Sequence, residues 1–510
     1  MQLFKQQING SMKLFLNLKN AILSAENCHA FYLENAYYSY ALFAQRITAV
    51  RKAVAMLPAA EKNVGIVANN DIDTYAAIIA LWLEGKAYVP LNPEFPESRN
   101  MTVLDQALIR TIIDSSAEPL FSDYNIICSS KLSAEANINL DPVLVPETDT
   151  AYILFTSGTT GKPKGVPISR KNLEGFVDAF NAIGFSFSAE DRFLQMFDLT
   201  FDLSVMSYLI PLLNGACIYT VPPRVLKYSY ISELMEDHHL TVALMVPSIL
   251  QYLRPYFGEL SFPAMRCSLF CGEALGIDIT NEWAAVVPNA AIANVYGPTE
   301  DTIFCTCYQY KRNQTNKSYN GMVSIGKAMK GNIAAVLTDE HAEASPGIAG
   351  ELCLGGIQLT EGYWKDAEKN KQSFFVVNDS MNQQVKYYKT GDLCKTDEEG
   401  DIFYMGRLDH QVKVQGYRVE LPEIEFHVKN YLEKKNAAVV AFSDVINNTD
   451  LGLVIESPEY DITGLWNYLN ERLPHYMVPK KVLFLESMPL NSNGKIDRNK
   501  LTSLFSSNKA

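Results

Sequence analysis

Long apolar runs are missing from this chain. No stretch approaches the roughly 18 to 20 apolar residues of a membrane-spanning helix. The N-terminal run Leu14-Phe15-Leu16-Asn17-Leu18, bracketed by Lys13 and Lys19, is too short for a secretory signal core. Positive charge is also in deficit: 44 Lys and Arg against 57 Asp and Glu give a formal net charge of -13, the wrong sign for a general nucleic-acid binder. An acidic chain still has room for local basic pockets that hold phosphate. The nine cysteines build no framework. Cys267 and Cys271 are four apart, Cys305-Thr306-Cys307 lacks the two-residue gap of a zinc knuckle, and no histidine pair stands beside them. These absences exclude a zinc module and a disulfide scaffold. They lead us to expect free thiols in a reducing, cytoplasmic compartment, with no membrane insertion and no nucleic-acid partner.

What is present is the composition of an ordinary globular protein, and 510 residues are too many for one core. Strand-like and helix-like patterns alternate over most of the length. Val64 to Ala68 reads as a buried parallel strand, Ile72 to Glu84 as a helix closed by Gly85, and Ala87 to Leu91 as the next strand. The rhythm returns between Ala216 and Val295, the signature of βα units around a mainly parallel sheet. After about residue 350 the pattern turns antiparallel. From Gln411 a compact α+β unit follows, with helices at Pro422 to Tyr431 and Thr463 to Arg472. The expected fold is therefore α/β. A large domain spans residues 1–408 and a small α+β domain spans 409–510. The first forty residues are the least readable.

The strongest local signal is Ala151-Tyr152-Ile153-Leu154-Phe155-Thr156-Ser157-Gly158-Thr159-Thr160-Gly161-Lys162-Pro163-Lys164-Gly165. An apolar strand runs into a loop of hydroxyls, glycines and lysines. Backbone N–H groups, hydroxyls and a lysine together suit a triphosphate or pyrophosphate. A polar βα loop with no ligand is the plainer alternative. The loop is not a Walker A motif, because Thr156 stands where that pattern needs Gly and Pro163 follows Lys162.

This segment resembles the phosphate-loop signature of the adenylate-forming superfamily, which includes acyl-CoA synthetases, luciferases and peptide-synthetase adenylation domains. Four more motifs match in the family's order. They are Asn294-Val295-Tyr296-Gly297-Pro298-Thr299-Glu300, Tyr387 to Asp392, Gly406-Arg407-Leu408-Asp409 with Val412 to Glu420, and Leu490 to Asp497. Together they cover about residues 60 to 500. The resemblance implies ATP and Mg²⁺ as cofactors, held by Thr156, Ser157, Gly158, Thr159, Thr160, Lys164, Gly272, Glu273, Asn294, Tyr296, Gly297, Thr299, Asp392 and Arg407. Tyr296 is expected to stack on adenine and Asn294 to meet its amine. Glu300 with Thr156 is expected to hold magnesium, which prefers hard oxygen ligands. Asp392 is expected to accept both ribose hydroxyls. Lys495 is the expected catalytic lysine, stabilising charge at the α-phosphate. Asp409 occupies the hinge about which the small domain swings, and Gly416 lines the path of an incoming thiol. Each residue has a plainer reading: a strand-end aromatic for Tyr296, a helix-start carboxylate for Glu300, a turn aspartate for Asp392, surface residues for Arg407 and Lys495.

Phe201 to Met206 resembles the amino-acid-activating branch, whose members place an aspartate at Asp202 to pair the substrate ammonium. A helix N-cap is its plainer role. The implied pocket comprises Asp202, Leu203, Met206, Leu269, Cys271, Val295, Ile303 and Phe304. With Leu269 to Glu273, the wording is most like D-alanine–carrier-protein ligases, from which Val295, Asp301 and Phe304 depart. The expected protein is a free-standing amino-acid ligase that charges the phosphopantetheine of a separate carrier protein. An acyl- or aryl-CoA ligase, with Asp202 structural, is the alternative.

Overall fold

The computed structural model describes residues 2–158, 162–378, 384–409, 411–432, 436–459, 461–490 and 496–506, with side chains from residue 13 to 505. Two large sheets form the body. The first has six strands in the order Asn125–Cys128, Thr111–Asp114, Asn63–Val67, Ala87–Leu91, Thr150–Thr156 and Lys164–Ser169, parallel except for the last pair. The second has nine strands, and its parallel centre runs through Cys217–Thr220, Arg192–Gln195, Val242–Met245, Cys267–Phe270 and Ala291–Tyr296. The alternating patterns read from the sequence are these strands and the helices between them. Helices Ile72–Leu83 and Asp202–Leu213 are buried on nearly every face, as apolar residues all round the helix require. Strand carboxyl ends thus point into one crevice, where ligands of such sheets bind.

The unreadable N-terminus is a helix, Gln2–Ser24, followed by strands His29–Leu33 and Ala36–Ser39 on the edge of the nine-stranded sheet. Leu14, Phe15, Leu18 and Ile22 are buried in the main core. Phe15 packs on Trp82 with ring centroids 5.8 Å apart, and the Arg170 guanidinium lies over the Phe15 ring at 4.4 Å. The short apolar run is therefore the inner face of an amphipathic helix.

An antiparallel five-stranded sheet follows, which includes Gly350–Gly356, Gln384–Thr396 and Ile402–Arg407. Beyond it the hairpin Gln411–Val414 and Tyr417–Glu420 leads into a three-stranded sheet, Ala437–Ser443, Thr449–Glu456 and Lys481–Leu485. The two faces of that sheet carry separate cores. Val439, Leu453 and Ile455 face the hairpin residues Val414, Tyr417 and Val419, while Ala438, Val440 and Val454 face Ile496 and Phe505. Among the described residues no helix is long and apolar enough to cross a membrane.

Candidate active site

The phosphate loop is pinched at its base. Thr156 and Lys164 are paired across the antiparallel strands that flank it. Gly158 cannot be replaced cheaply, because a Cβ there would lie 2.0 Å from the Lys162 carbonyl oxygen. Thr156 Oγ1 is buried and has no partner. An orphaned hydroxyl of this kind fits the hard-oxygen ligand expected for magnesium. Thr159 and Thr160 lie outside the described residues.

Strand Ala291–Tyr296 delivers the second motif. Asn294 gives its amide nitrogen to the carbonyls of Val323 and Ser324, at 3.3 and 3.0 Å, which leaves its carbonyl oxygen as the acceptor. Tyr296 ends the strand and donates its hydroxyl to the Asp392 carboxylate. Gly297 is fixed by packing, since a Cβ would meet Phe304 Cα at 2.4 Å. Glu300 follows in the turn Thr299–Asp301, fully buried. Burial alone would raise its carboxyl, but Arg418 and Lys164 outweigh it and hold the group at about 2. Arg418 Nη1 reaches it at 2.7 Å and the Tyr363 hydroxyl at 2.6 Å.

Asp392 also accepts Arg407 at 2.7 Å, and Arg407 continues to Asp409 at 2.6 Å. One guanidinium thus spans the ribose and hinge candidates. The pair also tightens the turn, because a Cβ on Gly391, at φ +73°, would meet Arg407 Nη2 at 2.7 Å.

Asp202 is the first residue of its helix; Phe201 holds the N-cap position, so the carboxylate does not serve as the N-cap. One of its oxygens, Oδ2, is buried without a partner. Burial, with nearby Glu300 adding, pushes the carboxyl up to about 6. Leu203, Met206, Leu269, Cys271, Val295, Ile303 and Phe304 are all buried in the main core. Burial pushes the Cys271 thiol up to about 12, so it acts as an apolar wall. Phe304 is held edge-on by Phe176 and Phe180, with centroids at 5.0 and 6.0 Å.

The loop that carries Ile303 and Phe304 is strained. Thr302 and Ile303 sit at φ +49° and +74°, a region β-branched residues rarely enter. Gln358, fully buried, holds it there. Its Nε2 donates to the carbonyls of Asp301, Thr302 and Phe304 at 3.2, 3.0 and 2.9 Å, and its backbone carbonyl accepts the Thr302 hydroxyl at 2.5 Å. Sequence reading passed over Gln358, because nothing in a sequence marks a polar residue as a buried clamp.

The hairpin of the C-terminal unit closes the site from above. Gln415 and Gly416 turn it at φ +51° and +83°. Glu273 accepts the backbone N–H of Gly416 at 2.9 Å and that of Ser248 at 2.8 Å. Lys413 Nζ lies 5.6 Å from the centre of the Tyr296 ring. A cavity of about 790 Å³ opens beside the hairpin, between Asp198, Lys227, Tyr252, Tyr417 and His475. A narrow space sharing those walls extends to Gly416 and Leu203. Lys495 lies outside the described residues. Its neighbour Ile496 packs on the face of the C-terminal sheet opposite the hairpin.

A model of the AMP-binding enzyme family matches residues 22–364. Tyrocidine synthase 3 of Brevibacillus parabrevis is 31% identical over 450 residues, covering 86% of this chain and 7% of the relative. Tyrocidine synthase 1 of the same organism is 30% identical over 447 residues, covering 86% and 40%. The chain thus spans less than half the length of these curated relatives. Among solved structures, the Vibrio cholerae adenylation domain AlmE in complex with glycyl-adenosine-5'-phosphate has a TM-score of 0.83 and 26% identity, over 97% of this chain and 98% of that one. PA1221, an NRPS protein containing adenylation and PCP domains, shares the fold at a TM-score of 0.82 and 23% identity.

Proposed function

Because the chain belongs to the AMP-binding enzyme family, we propose that it joins ATP to an amino acid, releasing pyrophosphate, and then passes the aminoacyl group to the phosphopantetheine thiol of a carrier protein. The observation that carries the amino-acid reading is the unpartnered oxygen of buried Asp202. A buried carboxylate lacking a counter-charge is costly unless a cation arrives. A substrate ammonium is that cation, and a fatty or aryl acid brings none.

In the first half-reaction a carboxylate oxygen attacks the α-phosphorus of ATP and the bond to pyrophosphate breaks. Asp202 fixes the amine end, so the carboxylate faces the phosphate loop across Thr299 and Glu300, which lie beside it. Tyr296 and Asp392 hold adenine and ribose, and Arg407 restrains the Asp392 carboxylate. Lys495 stabilises the charge that builds on the phosphorus oxygens. Thr156 and Glu300 are the residues suited to magnesium, which neutralises phosphate charge when bound. In the second half-reaction the thiol attacks the acyl carbon and AMP leaves. Gly416 leaves the space between the large cavity and Leu203 passable, because even a Cβ would lie 2.4 Å from Val246.

The substrate we favour is small, with D-alanine the candidate drawn from Phe201 to Met206 and Leu269 to Glu273. A relative solved with a glycyl adenylate supports a small side chain. Pyrophosphate exchange over small L-, D- and imino acids, against fatty and aryl acids, tests the reading. Exchange confined to acids lacking an amine rejects it and installs the CoA-ligase alternative.

A further inference from the structure

Two carboxylates of the C-terminal unit end on the phosphate loop. Glu423, in the first turn of helix Leu421–Tyr431, accepts the Gly158 backbone N–H through Oε2 at 3.0 Å and Arg99 Nη1 through Oε1 at 2.8 Å. Glu420 accepts Lys164 Nζ at 3.2 Å and Gln411 Nε2 at 2.8 Å. Ser157 Oγ donates to the Arg418 carbonyl at 2.8 Å. Both ion pairs are buried, and the Glu423 side chain is only 1% exposed.

A loop amide, a hydroxyl and a lysine ammonium are the donors that hold phosphate oxygens. Here the oxygens they hold belong to the protein itself. The same donors cannot serve a polyphosphate and these groups at once. Pyrophosphate brought against Glu420 and Glu423 would also set like charges together in a space that excludes water, which is strongly unfavourable. The loop is thus satisfied by one set of anions or the other.

We infer that Glu420 and Glu423 are positioning residues for the thioester half-reaction, taking the loop donors that pyrophosphate vacates and so holding the hairpin over the site. The inference rests on the ATP reading given above. The exchange makes and breaks no covalent bond: pyrophosphate departs as an anion and the two carboxylate side chains take over its donors. Its consequence is that pyrophosphate opposes the second half-reaction by lifting the hairpin, separately from reversing the first.

The test uses the full chain with AMP and inorganic pyrophosphate and no amino acid, so that no chemistry runs. Amide hydrogen exchange of residues 411–420 is followed by mass spectrometry. Pyrophosphate is expected to speed it by about tenfold or more, the worth of one charge-assisted hydrogen bond. Inorganic sulfate at the same ionic strength leaves it unchanged. The double variant Glu420→Gln, Glu423→Gln exchanges fast with AMP alone and ignores pyrophosphate. It keeps ATP–pyrophosphate exchange and loses aminoacyl transfer to pantetheine. A wild-type hairpin unmoved by pyrophosphate overturns the inference without any variant, and so does a double variant that keeps its protection and its transfer rate. A wild-type chain that exchanges pyrophosphate with no carboxylate brings down the ATP reading itself, and active exchange over an unmoved hairpin sinks the inference alone.

Discussion

Arg418 Nη1 stands 2.7 Å from Glu300 Oε2, a buried ion pair that ties the C-terminal hairpin to the carboxylate expected to hold magnesium. A magnesium ion held by Glu300 would need this same carboxylate, so guanidinium and metal are expected to occupy it in turn. In Arg418→Gln the docked hairpin leaves Glu300 buried without its charge partner, a loss of about 3 kcal/mol. Single-turnover transfer from preformed adenylate is expected to fall by about two orders of magnitude, far more than ATP–pyrophosphate exchange does. Equal losses in the two assays refute this role.

Asp202 separates stability from activity. Asp202→Asn removes a buried, half-satisfied charge, so thermal unfolding should shift to a higher temperature. On the proposed reading the same change deprives a substrate ammonium of its partner, and the amino-acid KM should rise by about a hundredfold or more. A variant that binds amino acid normally defeats the assignment.

The pH dependence at this residue follows from its upward shift to about 6. Below that value the free enzyme carries a neutral Asp202, and kcat/KM for the amino acid should drop about tenfold per unit. For folding the sign is reversed. The group's contribution is fully present below the ordinary carboxylate range and is lost as pH rises through about 6. A kcat/KM profile that is flat between pH 5 and about 7 contradicts the prediction.

Much of this was legible because the large domain is built from short apolar strands and periodic helices, whose patterns are local. Ile72 to Glu84 and Ala87 to Leu91 read correctly for that reason. The five motifs were also readable as strings, and the structure sets Lys164, strand partner of Thr156, beside Glu300 and Arg407 against Asp392. Partnership was not legible. Arg418 and Glu420 lie inside the motif Val412 to Glu420 with no role legible there, because their partners, Glu300 and Lys164, lie more than a hundred residues earlier. Asn294 reads as a ligand group, yet its amide nitrogen serves two backbone carbonyls. The N-terminal helix was hidden because Leu14 to Leu18 reads as one short apolar block, while its buried face continues four residues further on at Ile22.

Gln358 gives a prediction that touches neither nucleotide nor metal. Gln358→Ala strips a donor from three buried carbonyls and frees Thr302 and Ile303 to leave their left-handed conformation. Stability should fall by about 1–3 kcal/mol. The amino-acid KM should rise while the ATP KM holds, and selectivity among side chains should widen. Parallel increases in both KM values would reduce Gln358 to a general structural residue.

Lys495 and Asp409 are expected to divide the two half-reactions. Lys495→Ala should cut adenylation by orders of magnitude and spare transfer from preformed adenylate. Asp409→Pro, which fixes the backbone at the expected hinge, should spare pyrophosphate exchange and block the thioester. Rapid-quench assays of each step check both, and a matched loss of both steps in either variant contradicts the division.

The helix Gln2–Ser24 bears on how the protein is handled at the bench. The family match begins at residue 22, and a shortened version cut there would discard Leu14, Phe15 and Leu18. Trp82 and Phe43 belong to the same core. The cut would uncover Trp82 where Phe15 now lies on it, inviting precipitation during purification. An affinity tag or fusion partner belongs ahead of this helix, with enough slack that its inner face still reaches the seam between the sheets.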